Sequence, residues 1–180
     1  MGLFQFPITR YLADRLYLGE SGQQVPAFNA SLSLILIPML LTGVVWGCTT
    51  PDSVMPAPER WCGVVLLLTV SAEWVVLLYL MVIRRFMSIV WSFLIGDGAS
   101  LFLGTFLGSQ YGELGASLGF SMGQSAGLIL LLWAFLQEYP GEQEWNWDFV
   151  QWVRRAPTLA ACGFFYYLGS SLISFSCCWL

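Results

Sequence analysis

Five apolar runs of about twenty residues each restrict the fold of this chain more than any other feature. They cover residues 28–46, 61–83, 86–107, 116–136 and 159–180. A helix of about 20 apolar residues crosses a hydrocarbon core of about 30 Å. Only 10% of the 180 residues are charged, whereas a soluble domain carries about 25%. The sequence therefore predicts an all-α membrane protein, a polytopic helical bundle with about five transmembrane helices.

Two further segments are polar enough to lie at the membrane surface. Residues 1–20 mix apolar and charged side chains, which predicts an amphipathic N-terminal helix or a membrane helix without its beginning. Residues 137–157 are rich in acids and Trp and predict a second surface segment. Neither is large enough for a soluble domain, so we predict a single bundle over residues 1–180.

The arginines indicate how the chain is oriented. Six of the seven lie before the first run, between the second and third, or before the fifth, and only Arg60 lies on the opposite side. Cytoplasmic loops carry an excess of Arg and Lys. We therefore expect a multi-pass protein with a cytoplasmic N-terminus.

Glycines recur at every fourth position of the fourth run, and two more lie four residues apart in the third. Every fourth residue of a helix lies on nearly one face, where glycine allows close approach of a neighbouring helix. We predict a glycine-faced hairpin with a tight turn over residues 109–115. The predicted packing positions are Gly104, Gly108, Gly115, Gly119, Gly123 and Gly127.

Glu73 and Asp97 are acids inside apolar runs, and Gln124 is a polar residue on the glycine-rich helix. Acids within a membrane span usually face the bundle interior and mark an ion or substrate path. These three residues are the candidates for a transport path or a proton-coupling site. A protonated acid that is hydrogen-bonded to a neighbouring helix, and an interhelical bond for Gln124, remain open alternatives.

A charged motif near the N-terminus has three possible roles. Arg10, Tyr11, Asp14 and Arg15 lie within one or two helical turns. They form a candidate cytoplasmic motif, acting as a latch or as a contact for the anionic head group of a substrate. Topology signals and a solvated ion pair are the alternative.

The sequence shows no pattern typical of an enzyme. There is no His, and we find no nucleophile motif, phosphate loop or metal-ligand spacing. We therefore expect no catalytic residue, no cofactor, no metal and no nucleic-acid partner. Cys48 and Cys62 flank one loop; they are small apolar residues or, in an oxidising space, a disulfide.

Several segments resemble the PelG family of exopolysaccharide transporters. Residues 8–17, ITRYLADRLY, resemble the family's TRYxADxLY segment. Residues 147–157 resemble its DF-x-RYFRRYP stretch, and residues 163–169 its GLFYNLG segment. The similarity covers about residues 5–169, and the order and spacing of the motifs carry it.

The resemblance implies a polysaccharide exporter of the MOP (MATE/flippase) superfamily, which works by alternating access in the bacterial inner membrane. Its implied partners are the lipid bilayer, a polysaccharide and other export proteins. The family is much longer, and the end of this chain, from Ser170 to Leu180, departs from its pattern. We therefore expect a fragment of a longer transporter. The alternatives are a small scaffold subunit that packs on partner helices, or a small proton-coupled carrier.

Overall fold

The computed structural model describes residues 2–18 and 24–138, together with 151, 157–158, 161–163 and 165–166. Every regular element within these ranges is helical. Contacts divide the chain into two compact units, Met1–Ser31 with Gly141–Leu180, and Leu32–Pro140. The prediction of a single bundle over residues 1–180 stays a prediction.

The first unit contains α1 (Gly2–Tyr17) and the first turns of α2 (Gln24–Thr49). In α1, Ile8, Tyr11 and Leu12 are buried, while Arg10 is exposed. Apolar side chains at i, i+3 and i+4 form one face of a helix. The predicted N-terminal helix is therefore present, with one buried face.

The second unit contains the rest of α2, then α3 (Ala57–Val82) and α4 (Phe86–Glu138). Among the described residues, three helices are long and apolar enough to cross a membrane: Val25–Thr49, Ala57–Val82 and Phe86–Glu138. These helices contain the first four predicted runs, except for Ile83 at the end of the second run. Helix α2 begins at Gln24, ahead of the first predicted run, and includes Pro26, because proline is accepted in the first turn of a helix.

Helix α4 has one non-helical residue, Gly112, with φ 66° and ψ −146°. We call residues 86–111 the first arm and residues 113–138 the second arm. Each arm has about 25 residues and a length of roughly 40 Å at a rise of 1.5 Å per residue. The predicted seven-residue turn at 109–115 is therefore wrong in extent: the helix continues on both sides, because glycine without a Cβ adopts this conformation.

Gly112→Ala is expected to destabilise the second unit by about 1–2 kcal/mol, because the positive φ is strained for a residue with a Cβ. Space is not the cause, since a Cβ at Gly112 would meet nothing within 4 Å. Unfolding in mixed detergent micelles would measure the change. Gly98→Ala is the control, because Gly98 has open space and a helical conformation. Equal stability of the two variants would contradict the strain.

The number of transmembrane crossings remains a prediction. The fifth predicted run lies almost entirely outside the described residues, and so does most of the predicted surface segment at 137–157. In the part of the chain that the structure describes, the regular structure is helical and includes three long apolar helices, the last of which is broken at Gly112.

Candidate transport path

The two arms of α4 contact each other through backbone atoms. At three glycines of the second arm, an added Cβ would overlap backbone atoms of the first arm. The overlaps are Gly115 with Leu107, Gly119 with Leu103, and Gly123 with Ser100. At these positions only glycine allows the observed separation of the helices, because any other residue would push the backbones apart.

The other three predicted packing glycines tolerate a side chain to different degrees. A Cβ on Gly108 would lie 3.1 Å from the Cβ of Ala116, which is tight. On Gly104 it would lie 3.5 Å from the carbonyl oxygen of Ala116, an ordinary contact. On Gly127 it would lie 3.2 Å from Oε1 of Glu73. Gly127 therefore makes room for an acid of α3 as well as for the first arm.

Gln124 is the centre of a polar cluster between the arms. Its Nε2 donates to Oδ1 of Asp97 over 2.9 Å and to Oγ of Ser100 over 3.1 Å. Ser100 is fully buried, and its hydroxyl donates to the carbonyl oxygens of Gly96 and Phe120. The bond from Ser100 to Gly96 lies within the first arm, whereas the other three join the two arms, as polar residues do inside membrane bundles.

Glu73 approaches this cluster from α3. Its side chain is buried, and the residue is 5% exposed. Its carboxylate and that of Asp97 are close enough for their charges to interact. Within the described residues Glu73 has no hydrogen-bond or ion-pair partner, whereas Asp97 is exposed and accepts from Gln124. The structure thus brings together the three predicted path residues.

A cleft of about 940 Å³ lies beside the cluster. Its walls come from the end of α2, the start of α3 and both arms of α4 near Gly112. Trp46 and Phe120 contribute aromatic rings, and Glu59 and Glu113 contribute carboxylates. Ser100 lines the cleft and also accepts from Gln124, so the cleft reaches the polar cluster.

The side chains that line the cleft are suited to binding a ligand. A concave site with aromatic walls and a few polar groups suits a ligand that has both apolar faces and hydroxyl groups. Within the described ranges, no group of three or more His, Cys, Asp or Glu side chains is arranged to hold a metal ion.

The N-terminal motif belongs to the other compact unit. Nε of Arg10 lies 3.2 Å from Oδ1 of Asp14 in an exposed i,i+4 ion pair. The guanidinium of Arg15 lies over the ring of Tyr11, 5.3 Å from its centroid. The structure therefore shows two local contacts among these four residues, and their role as a cytoplasmic motif stays a prediction.

Sequence reasoning missed the role of Arg60. This buried arginine donates to the carbonyl oxygen of Thr50 and to Asp52, which joins the end of α2 to the first turn of α3. The nearby acid in the same loop was a signal that could have indicated the pair. Cys48 and Cys62, on either side of this loop, are not joined in a disulfide.

Comparison with known families decides the class of protein to which this helical chain belongs. The family model of PelG, an exopolysaccharide exporter (EPS-E), matches residues 1–175. The chain belongs to the PelG family. The match covers the segments that carried the resemblance and extends it toward both ends. No curated protein and no solved structure gives a significant match.

Membership in the PelG family supports a role in exopolysaccharide export and a location in a membrane. The family consists of exporters and is not known for enzymatic activity. The long apolar helices fit this assignment, because a membrane exporter needs spans of about 20 residues.

Proposed function

We propose that this PelG-family chain forms part of the pathway of a Pel-type exopolysaccharide through the bacterial inner membrane, by alternating access. The single observation that carries the proposal is the connection between the cleft and the polar cluster. Ser100 lines the cleft and shares Gln124 with Asp97. A cleft that ends on buried polar groups provides a binding surface within apolar helices, as transporters require.

The walls of the cleft suit a sugar chain. The rings of Trp46 and Phe120 offer flat apolar surfaces for sugar faces, and Glu59 and Glu113 accept hydrogen bonds from hydroxyl groups. Because the wall is mostly apolar and has only a few polar groups, a polymer binds to it weakly and is able to move along it. Conduction of any substrate requires such weak, repeated binding.

The arginine distribution supports an orientation. With the N-terminus and the Arg84–Arg85 turn in the cytoplasm, the Gly112 turn and the loop held by Arg60 face the opposite side. The cleft lies at that end of the unit, since Gly112 and Met55 both line it. With this predicted orientation, the proposed path opens on the side away from the cytoplasm.

A coupling role for Glu73 and Asp97 is a second candidate function. The observation that favours it is a buried carboxylate without a described hydrogen bond, close to a second carboxylate. Such groups within a span are costly unless they bind a proton, a cation or a polar partner. Binding and release of a proton or cation at this pair would be a driving step for alternating access.

Blocking the cleft is the direct test of the proposed path. In cells that depend on this chain for export, Thr105→Trp is expected to lower secreted polysaccharide at least about tenfold, because a large side chain would fill the passage. Thr105 lines the cleft on an exposed part of the first arm. Secreted polymer would be quantified by its sugar content after hydrolysis.

Val90→Trp is the matched control, because Val90 is exposed on the same arm but does not line the cleft. We expect export within about twofold of the unmodified protein, as for other surface substitutions. Both variants must be present in the membrane at equal amounts. Normal export by Thr105→Trp would argue against a path through the cleft, and would favour a scaffold that acts only by packing on partner helices.

A further inference from the structure

A second groove lies between the two arms of α4, at the end marked by the Arg84–Arg85 turn. Its volume is about 280 Å³, and it shares no lining residue with the cleft. Trp91 and Trp133 form its two rims and are 60% and 61% exposed. Tryptophans of this kind are typical of the boundary between hydrocarbon and head groups.

Two serine hydroxyl groups in this groove, those of Ser88 and Ser92, are free to donate a hydrogen bond to a ligand. Six other Ser and Thr side chains of α4 donate to carbonyl oxygens of their own helix. Ser88 and Ser92 line the groove and have no hydrogen bond within the described part of the chain. Ser92 is only 5% exposed. The Ser92 hydroxyl is not one of the fully enclosed, unpartnered side-chain atoms of the described residues, so it is accessible and able to donate to a ligand oxygen in the groove.

The charges at this end of the groove favour an anion. Arg85 forms an ion pair with Glu138, which directly follows the groove residue Gln137. Arg84 is exposed and has no ion-pair partner among the described residues. The two arginines and one glutamate leave a net positive charge beside Ser88.

The backbone of Arg84 is strained, with φ 63°. Glycine and asparagine adopt this left-handed conformation more readily than arginine. Strained residues persist where the surrounding structure or a function requires them. Arg84 lies just beyond the end of α3, and the backbone N–H groups of Arg84 and Arg85 donate to the carbonyl oxygens of Met81 and Leu80, so the positive φ belongs to the turn that ends this helix.

We propose that this groove binds one anionic phospholipid of the cytoplasmic leaflet. The phosphate lies beside Arg84 and Arg85, and the ester oxygens accept from Ser88 and Ser92. An acyl chain follows the apolar wall between the two tryptophans. Basic sites between membrane helices on the cytoplasmic side bind anionic head groups by this chemistry. The inference goes beyond polysaccharide export and does not depend on it.

The test compares two lipids on the purified chain in phosphatidylcholine bilayers. Spin-labelled phosphatidylglycerol and spin-labelled phosphatidylcholine report how strongly each associates with the protein. We expect a preference for phosphatidylglycerol in the unmodified chain. Arg84→Asn should lower this preference about fivefold, since one arginine near the surface contributes about that much to the binding of anionic lipid. Arg84→Lys should keep it within about twofold, because the positive charge remains.

Asparagine tolerates positive φ, so Arg84→Asn is expected to fold. A second pair of variants tests the groove itself. Ala134→Phe fills the groove and should reduce phosphatidylglycerol association, whereas Ile129→Phe, on the same arm outside the groove, should not. Retention of the full preference by Arg84→Asn, or unchanged association in Ala134→Phe, would overturn the proposal.

Discussion

Gly123→Ala is expected to destabilise the second unit by about 3 kcal/mol, because the added methyl group would overlap backbone atoms of the opposing arm. The Cβ would meet the backbone nitrogen and Cα of Ser100. Neither atom can move without shifting the whole helix. The expected result is a lower midpoint of unfolding in mixed detergent micelles, with a separation of the two arms.

Gly98→Ala serves as the control for this substitution as well. It lies on the first arm, and a Cβ there would meet nothing within 4 Å. Alanine is the better helix former, so this variant should match or exceed the unmodified protein by about 0.5–1 kcal/mol. If Gly123→Ala were as stable as Gly98→Ala, the close contact between the arms would be contradicted.

The contact at Gly123 also connects packing to the proposed path. Ser100, the residue that Gly123 touches, holds the hydrogen bond from Gln124. A shift of the arms would lengthen that bond and the bond from Gln124 to Asp97. We therefore expect export by Gly123→Ala to fall along with stability, which makes it a structural variant rather than a test of the polar groups.

Glu73→Leu is expected to raise the stability of the protein and to lower export. Replacing a buried carboxylate that lacks a described hydrogen bond with an apolar side chain of similar volume should raise stability by about 1–3 kcal/mol. If the carboxylate couples transport to a proton or cation, export should fall at least about tenfold, because the coupling group is absent. Unfolding in detergent and secreted polysaccharide would be measured on the same variant.

Gln124→Leu is the comparison for Glu73→Leu, because it removes two hydrogen bonds instead of an unpartnered group. We expect it to lower stability by about 1.5–3 kcal/mol, since one of these bonds is made to a carboxylate. The two substitutions should therefore change stability in opposite directions. Normal export by a stabilised Glu73→Leu would rule out a coupling role for Glu73, and normal export by Asp97→Asn would do the same for Asp97.

The lipid groove and the cleft lie at opposite ends of the α4 hairpin and are tested by different measurements. The cleft variants change secreted polysaccharide, whereas the Arg84 variants change lipid preference in bilayers. A cleft variant that lowers secreted polysaccharide is therefore not expected to change lipid preference, and an Arg84 variant that changes lipid preference does not test the cleft. The two proposals therefore concern different ends of a hairpin whose arms are held together at glycines.

Local sequence patterns were sufficient to predict the helices and the family. Apolar runs of about twenty residues can satisfy their backbone groups in a membrane only as helices, so helices were predicted correctly at the first four runs. The PelG segments at residues 8–17 and 147–169 indicated the family that the family model matches. The extent of the hairpin turn was not predictable, because the choice of Gly112 over its neighbours depends on how the two arms meet.

The sequence by itself determined that this is a helical membrane protein of the PelG family, because hydrophobic length and motif order are properties of the chain alone. Only the tertiary structure decided which glycines of the stripe cannot be replaced: Gly123 meets a backbone, whereas Gly104 has ordinary space. Only the tertiary structure brought Glu73 to Asp97 and left Ser92 facing a groove without a partner. Periodicity shows which residues share a face of a helix, but contacts between helices decide what that face meets.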